Sequence, residues 1–147
     1  MNHLENSKSV TKIGTADTAT NATHQHSIDT LGFNVASIDV IFEPVVAAGT
    51  NSAVAIVLKL QESDTNGSFS DISGFVGGTD FTIPTPSNTS DTNVVRFDVS
   101  GRGRKRYLNV YATPNAASVI ASSARLGKGE DGPSSASEKG VGGAVSG

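Results

Sequence analysis

The stretch from Asn93 to Pro114, NVVRFDVSGRGRKRYLNVYATP, carries the strongest local structural signal in the sequence. Two alternating runs, Val94–Val99 and Tyr107–Ala112, flank a short turn that contains two glycines and four cations. Alternation of apolar and other residues is typical of strands that bury one face. The pattern predicts a β-hairpin with a basic tip. Its core residues are Val95, Phe97, Val99, Leu108 and Val110.

Further strand signals recur along the chain, separated by turns rich in Gly, Pro and Asn. No helix of ordinary length is indicated. The predicted strands are residues 22–30, Val35–Phe42, residues 53–62 (with Val54, Ile56, Leu58 and Leu60 inward), Phe69–Phe75, Asp80–Ile83 and Ala117–Leu126. Ala117–Leu126 has apolar residues on both faces, which predicts an interior strand or one covered by a partner. The fold class is therefore an all-β antiparallel sandwich or barrel, and a jelly roll is one of the open alternatives.

Composition divides the chain into three parts. Residues 1–21 are polar and predict an extended N-terminal arm, flexible by itself, that could add to a neighbour's sheet. Val10 and Ile13 are the candidate partner-binding residues of this arm. Residues 22–127 form the β domain, and residues 128–147 predict a flexible tail because they are rich in Gly and Ser.

Charge and composition exclude several classes of protein. The 147 residues are 36% hydrophobic and carry a formal net charge of −3, which predicts one domain with a modest core and argues against general coating of nucleic acid. With no cysteine, disulfides and thiolate metal sites are excluded. The N-terminal residues lack the continuous apolar run of a secretory signal, and no run is long enough to span a membrane. We expect no contact with a membrane.

The cations of the predicted tip, Arg102, Arg104, Lys105 and Arg106, are the main candidate binding residues. Arginine pairs well with carboxylate and phosphate groups. A phosphate loop is excluded because a strand, and not a helix, follows the glycines. A solvated hairpin tip, docking on an acidic protein surface and contact with nucleic acid stay open. Docking on protein is the preferred hypothesis.

Catalytic and metal motifs are weak. His24 and His26 would lie on one strand face and could supply two ligands of a zinc or nickel site, but ordinary polar surface is the preferred interpretation. The acidic segment with Glu62, Asp64 and Asp71 lacks the ligand spacing of a calcium loop. No serine lies in a nucleophile elbow. Enzyme activity, a cofactor and a metal are not predicted.

Three pieces of the chain together are similar to a known family. They are Leu58–Phe75 with its "FSDI" strand, Val95–Val110 with "RFDV" and "GRKRYL", and the small-residue strand ASVIASSARLG. In this order they resemble small virion proteins of tailed bacteriophages that decorate or cement the capsid, over residues 35–127. The resemblance implies a protein made in the host cytoplasm that binds the major capsid protein on the outer capsid surface and bridges neighbouring capsomers. It also implies a homo-oligomer, with a trimer favoured over a dimer.

Two other functions are alternatives. A carbohydrate- or receptor-binding β-sandwich module of a phage tail or spike would use Tyr107, Asn109 and Tyr111, which share a strand face, as a small platform for a sugar. A nucleic-acid-binding barrel would use the cationic turn, and its affinity would depend strongly on salt.

Overall fold

The structure is a computed structural model that describes residues 7–14, 23–42, 57–84, 94–114, 119–128 and 140–141. These residues form eight strands, and no helix occurs among them. The strands are β1 (Lys8–Ile13), β2 (His24–Asp29), β3 (Val35–Phe42), β4 (Val57–Ser63), β5 (Ser70–Val76), β6 (Val94–Ser100), β7 (Tyr107–Thr113) and β8 (Ile120–Gly127).

Two four-stranded antiparallel sheets pack against each other. Sheet A has the order β1-β8-β3-β6, and sheet B has the order β2-β7-β4-β5. The pairs β1/β8, β2/β7, β3/β6 and β4/β5 are nested within one another. This nesting over two sheets is the topology of an eight-stranded jelly roll. The all-β fold class is therefore confirmed, and the topology selects a sandwich and not a barrel.

The core lies between the sheets and is formed mainly by alternate side chains of the other six strands, while the edge strands β1 and β5 contribute Val10, Ile72 and Phe75. Ile38 and Leu126 of sheet A are fully buried, as are Leu60 and Val110 of sheet B. Each such side chain stabilises the fold by about 1.5–3 kcal/mol when it leaves water. At the side formed by β5 and β6, Phe97 makes edge-to-face contacts with two other phenylalanine rings at centroid distances of 6.0 and 5.7 Å.

The predicted hairpin between β6 and β7 is wrong, although both of its strands exist. β6 pairs with β3 in sheet A, whereas β7 lies between β2 and β4 in sheet B. Residues 101–106 therefore cross from one sheet to the other. A hairpin and a crossing connection bury the same alternate side chains, so the sequence period cannot distinguish them. The core prediction is confirmed accordingly, since four of the five residues are buried and Val95 packs partly buried against them.

The predicted strand Asp80–Ile83 is also wrong. Phe81 makes only an isolated bridge with Gly77. The carboxylate of Asp80 instead accepts hydrogen bonds from the backbone N–H groups of Gly74 and Val76 at 2.8 and 3.0 Å. A side chain that satisfies nearby backbone donors favours a turn over a ladder.

Part of the predicted arm belongs to the domain itself. β1 pairs with β8 of the same chain from Lys8↔Leu126 to Ile13↔Ala121, and Val10 packs partly buried against the core. The structure differs here from the expectation of a flexible segment, because β1 satisfies backbone groups along β8 that would otherwise form a free edge. β8 is thus an interior strand, as predicted. The remaining residues of 1–21, apart from Ser7 and Gly14, lie outside the described residues, as do Val54, Ile56 and most of the tail.

Paired cysteine substitutions test the crossing connection, since the chain has no cysteine of its own. Ser37 and Asp98 are opposite each other in the β3/β6 ladder. We expect Ser37→Cys with Asp98→Cys to form a disulfide on oxidation, detected by mass spectrometry of a proteolytic digest. Asp98→Cys with Asn109→Cys, which would face each other in a β6/β7 hairpin, should stay reduced. The opposite result would restore the hairpin.

Candidate functional site

The cationic turn between β6 and β7 is folded onto acidic side chains of sheet B. Arg106 forms a bidentate pair with Asp29, with Nε–Oδ1 at 2.9 Å and Nη2–Oδ2 at 2.7 Å. Its guanidinium group also lies 4.8 Å from the centre of the Tyr107 ring. The hydrogen bonds from Arg106 hold the pKa of Asp29 below its usual value, and the same bonds raise the pKa of Arg106.

The next two cations also have acidic partners, at longer distances. The carboxylate of Glu62 accepts the backbone N–H of Lys105 at 3.1 Å and lies 3.7 Å from Nη1 of Arg104. The Nζ atom of Lys105 lies 3.9 Å from Asp64. Together with the Arg106 pair, these contacts fix the connection that crosses between the sheets. We call them the turn clasp.

The turn clasp leaves fewer of the predicted docking residues available to a partner protein. Arg104, Lys105 and Arg106 already have carboxylate partners in their own chain. Arg102 differs, because no ion pair joins it to any other described residue. Of the four cations of the turn, Arg102 is therefore the one whose charge is most available to a partner.

The outer face of sheet B carries the tyrosines of the proposed sugar platform. The Nζ atom of Lys59 lies 5.2 Å from the centre of the Tyr111 ring, as Arg106 does over Tyr107. Asn109 is 2% exposed and donates from Nδ2 to Gln61 at 3.1 Å. The strand face is shared as the sequence predicts, but both rings carry a cation of the chain and the amide is covered. No described feature of this face favours a sugar.

The outer face of sheet A has one apolar row at the end of the sheet opposite the cationic turn. The ladder register places Ile13 of β1, Ala121 of β8, Ile41 of β3 and Val94 of β6 next to one another across all four strands. We call these four residues the apolar row. The exposed fractions are 71% for Ile13 and 41% for Ile41 and for Val94. The predicted partner-binding residue Ile13 therefore lies on the surface, whereas Val10 faces the core.

The row beside the apolar row, on the side toward the cationic turn, is polar and satisfied within the sheet. Arg96 donates to both carboxylate oxygens of Asp39, at 2.7 and 3.0 Å. The hydroxyl groups of Thr11 and Ser123 are 3.0 Å apart. On this side the apolar row is bordered by side chains that already have partners, which sets it apart from them as a surface for contact. Sequence reasoning missed this row because its four members come from distant parts of the chain, and only the register brings them together.

A second feature that sequence reasoning misjudged is the histidine pair. His24 and His26 are buried, and not polar surface, at 6% and 4% exposure. His24 Nε2 and His26 Nδ1 lie 2.9 and 2.6 Å from the hydroxyl oxygen of Ser122, across the space between the sheets. Ile28 follows at the same spacing, and this apolar residue was the sequence signal that the histidine face points inward.

Burial keeps the histidine pair neutral. Desolvation is the main cause that lowers the pKa of His24, and it lowers the pKa of His26 to about 4, with further contributions from His24 and Lys12. A single hydroxyl group can donate to one ring nitrogen and accept from the other, so the two ring nitrogens that face Ser122 are satisfied in the neutral pair. The cluster therefore ties β2 to β8 and acts as a structural contact between the sheets.

Metal and membrane features were also sought in the part of the chain that the structure describes. There, no three His, Cys, Asp or Glu side chains are grouped so that they could hold a metal ion. No helix in the same residues is long and apolar enough to cross a membrane.

Comparisons of this chain with protein-family models, with curated proteins and with solved structures found no match. The fold and the surfaces described above are therefore the basis for a functional proposal.

Exchange of backbone amide hydrogens tests the turn clasp. Arg106→Gln removes the bidentate pair, so we expect faster exchange at the amide of Thr30, which donates to the carbonyl of Arg106 at 3.0 Å. The matched variant Arg102→Gln removes the same charge from the same turn and should leave that exchange unchanged. Equal exchange at Thr30 in both variants would contradict the clasp.

Stability should fall in acid because of His26. The folded protein keeps His26 neutral down to a pKa of about 4, whereas the unfolded chain binds the proton near the ordinary histidine pKa of 6.5. The part of the free energy of unfolding that comes from His26 is therefore fully present above pH 6.5. It falls by on the order of 3 kcal/mol as the pH decreases toward 4. Chemical denaturation at several pH values measures this loss. His26→Gln, which keeps a hydrogen-bonding group without the titration, should show a smaller decrease; an unchanged pH dependence would contradict the assignment.

Proposed function

We propose that this protein is a structural virion protein that binds the outer surface of a phage capsid and holds neighbouring capsomers together. The observation that carries the proposal is the apolar row on the outer face of sheet A. A solvent-exposed row of apolar side chains across a whole sheet, with satisfied polar groups along one side, is typical of a surface that is covered by protein. That the covering protein belongs to a phage capsid is inferred from the resemblance to capsid decoration proteins.

The fold is compatible with this role but does not select it. Jelly rolls occur in viral capsid domains and also in lectins. The two outer faces favour the structural role over the sugar-binding one. On sheet B the tyrosine rings and Asn109 are engaged within the chain, whereas on sheet A large apolar side chains face outward.

A homo-oligomer is part of the proposal, and a second copy of this chain is the occupant of the apolar row. Large and small residues alternate along the row, so two rows in opposite directions can place Ile41 of one copy against Ala121 of the other. In the same arrangement Asp39 of one copy faces Ser123 of the other, which can donate a hydrogen bond to it. Contact of the row with itself gives a dimer, and contact with a different patch gives a ring such as a trimer.

Capsid binding tests the function directly. Purified protein mixed with undecorated capsids should bind in a saturable manner, at a fixed ratio to the major capsid protein, and should raise the temperature at which the particles lose their DNA. Sedimentation of the particles followed by quantitative gel analysis measures the ratio. Absence of saturable binding would refute the proposal.

The oligomer is tested by Ile41→Asp. Burying an isoleucine contributes about 1.5–3 kcal/mol, so a charge at this position should weaken self-association at least about tenfold. Leu31→Asp is the matched control, since Leu31 is 65% exposed and lies in the β2–β3 turn, at the opposite end of the sandwich. Light scattering across a concentration series gives the mass and the dissociation constant. Equal weakening by both variants, or a monomeric parent protein, would remove the apolar row as the contact between copies.

A further inference from the structure

A groove runs along the outer face of sheet A at the end near the cationic turn, far from the apolar row. It consists of two adjoining depressions of about 450 and 510 Å³ that share Val35 and Ser100. The exposed surface of the first is mostly apolar, although Ser37 lines it together with Gly127, and Asn34 lines the second. We call the two together the turn-end groove.

The polar end of the groove is cationic. Arg102 and Lys128 both line the second depression. Neither side chain has an ion pair with another described residue, in contrast to the three cations of the clasp. Arg125 lines the first depression and donates from Nε to Ser7 at 3.0 Å. Asp98 is the carboxylate of the groove, and it accepts a hydrogen bond from Ser37 at 2.6 Å.

Hydrogen bonds of Asn34 fix the two chain segments that carry Arg102 and Lys128. Gly101 N–H donates to the carbonyl of Asn34 at 2.7 Å, and Asn34 Nδ2 donates to the carbonyl of Lys128 at 3.2 Å. Asn34 therefore links the start of the cationic turn to the end of β8. Arg102 and Lys128 are brought together by this link although they are distant in sequence, so the cationic end is a built feature of the fold.

We propose that the turn-end groove binds an acidic peptide segment of a partner protein, with its carboxylates on Arg102 and Lys128 and an adjacent apolar side chain in the depression beside Val35. Charge complementarity and the apolar depression together select this occupant. A free phosphate would leave the apolar depression empty, and a single-stranded nucleic acid would favour aromatic residues for stacking, none of which lines the groove. That the partner is the capsid shell rests on the proposed function. That the groove binds an acidic peptide is argued from the groove alone.

Binding of a defined peptide tests the groove. The probe is acetyl-Glu-Glu-Leu-Glu-Glu-amide, followed by chemical-shift changes in nuclear magnetic resonance spectra of the full chain. Shifts are expected at Val35, Ser100 and Lys128. Replacing the leucine by glycine should weaken binding about tenfold, because the apolar depression then stays unfilled. Inorganic phosphate at equal charge should not reproduce the shifts at Val35; if it did, the groove would be an anion site and the peptide proposal would fail.

Charge variants test the roles of the two cations. Arg102→Gln with Lys128→Gln should weaken peptide binding about fivefold or more, as expected for two exposed ion pairs. Lys12→Gln with Lys59→Gln removes two charges from residues that line neither depression and is the matched control, with little effect expected. If both double variants weaken peptide binding equally, the loss of affinity comes only from the change in overall charge, and the proposal is overturned. Val35→Thr, nearly the same in shape, should weaken the leucine peptide more than the glycine peptide.

Three further outcomes are decisive. If Glu130→Gln with Asp131→Gln strengthens peptide binding severalfold, the chain's own acidic segment occupies the groove and the partner proposal is wrong. If capsids bind the parent protein and the Arg102/Lys128 variant equally well, the groove is not the capsid contact, although the proposed function stands. If the peptide binds as expected but capsids do not bind at all, the proposed function fails and the groove proposal survives.

Discussion

The structure depends on one constraint, the burial of alternate side chains from eight strands in a single layer between two sheets. Ile38, Leu60, Val110 and Leu126 lie in that layer without exposure to solvent. Because the strands are nested, consecutive strands other than β4 and β5 lie in opposite sheets. Connections must therefore cross the edges of the sandwich, and each crossing needs local contacts that hold it there. The cationic turn, with its clasp to Asp29 and Glu62, is the best-described example.

Many charged side chains of the described residues form ion pairs with one another. Arg106, Arg104 and Lys105 fasten a sheet-crossing connection, and Arg96 closes a polar row on sheet A. Exposed ion pairs of this kind contribute little stability one by one. Their effect here is to fix the position of a loop and to consume charges that would otherwise attract partners. Among the described residues, the apolar row and the turn-end groove, at opposite ends of sheet A, are the two surfaces for which we propose association.

The buried histidines illustrate how the two sheets are joined by polar contacts as well as apolar ones. His24 and His26 on β2 share the hydroxyl group of Ser122 on β8. A satisfied neutral cluster is tolerated in a core, whereas a charged one is not. Close to this cluster, Lys12 of β1 donates to the backbone carbonyl of Gln25 at 2.6 Å, so the edge strands of both sheets are linked on the same side. An edge strand whose carbonyl is occupied in this way is less available for pairing with other chains.

The sequence by itself determined the fold class, most of the strands and the core face of β6 and β7, because a period of two residues encodes which side chains are buried. It did not determine the partner of each strand, since Phe97 and Val110 face inward equally well in a hairpin and in a jelly roll. Only the tertiary structure decided that β1 completes sheet A. It alone also brought Ile13, Ile41 and Val94 into one row and placed Arg102 beside Lys128. These surfaces depend on ladder register and on loops that cross between sheets. Both are long-range relations, and local sequence patterns do not contain them.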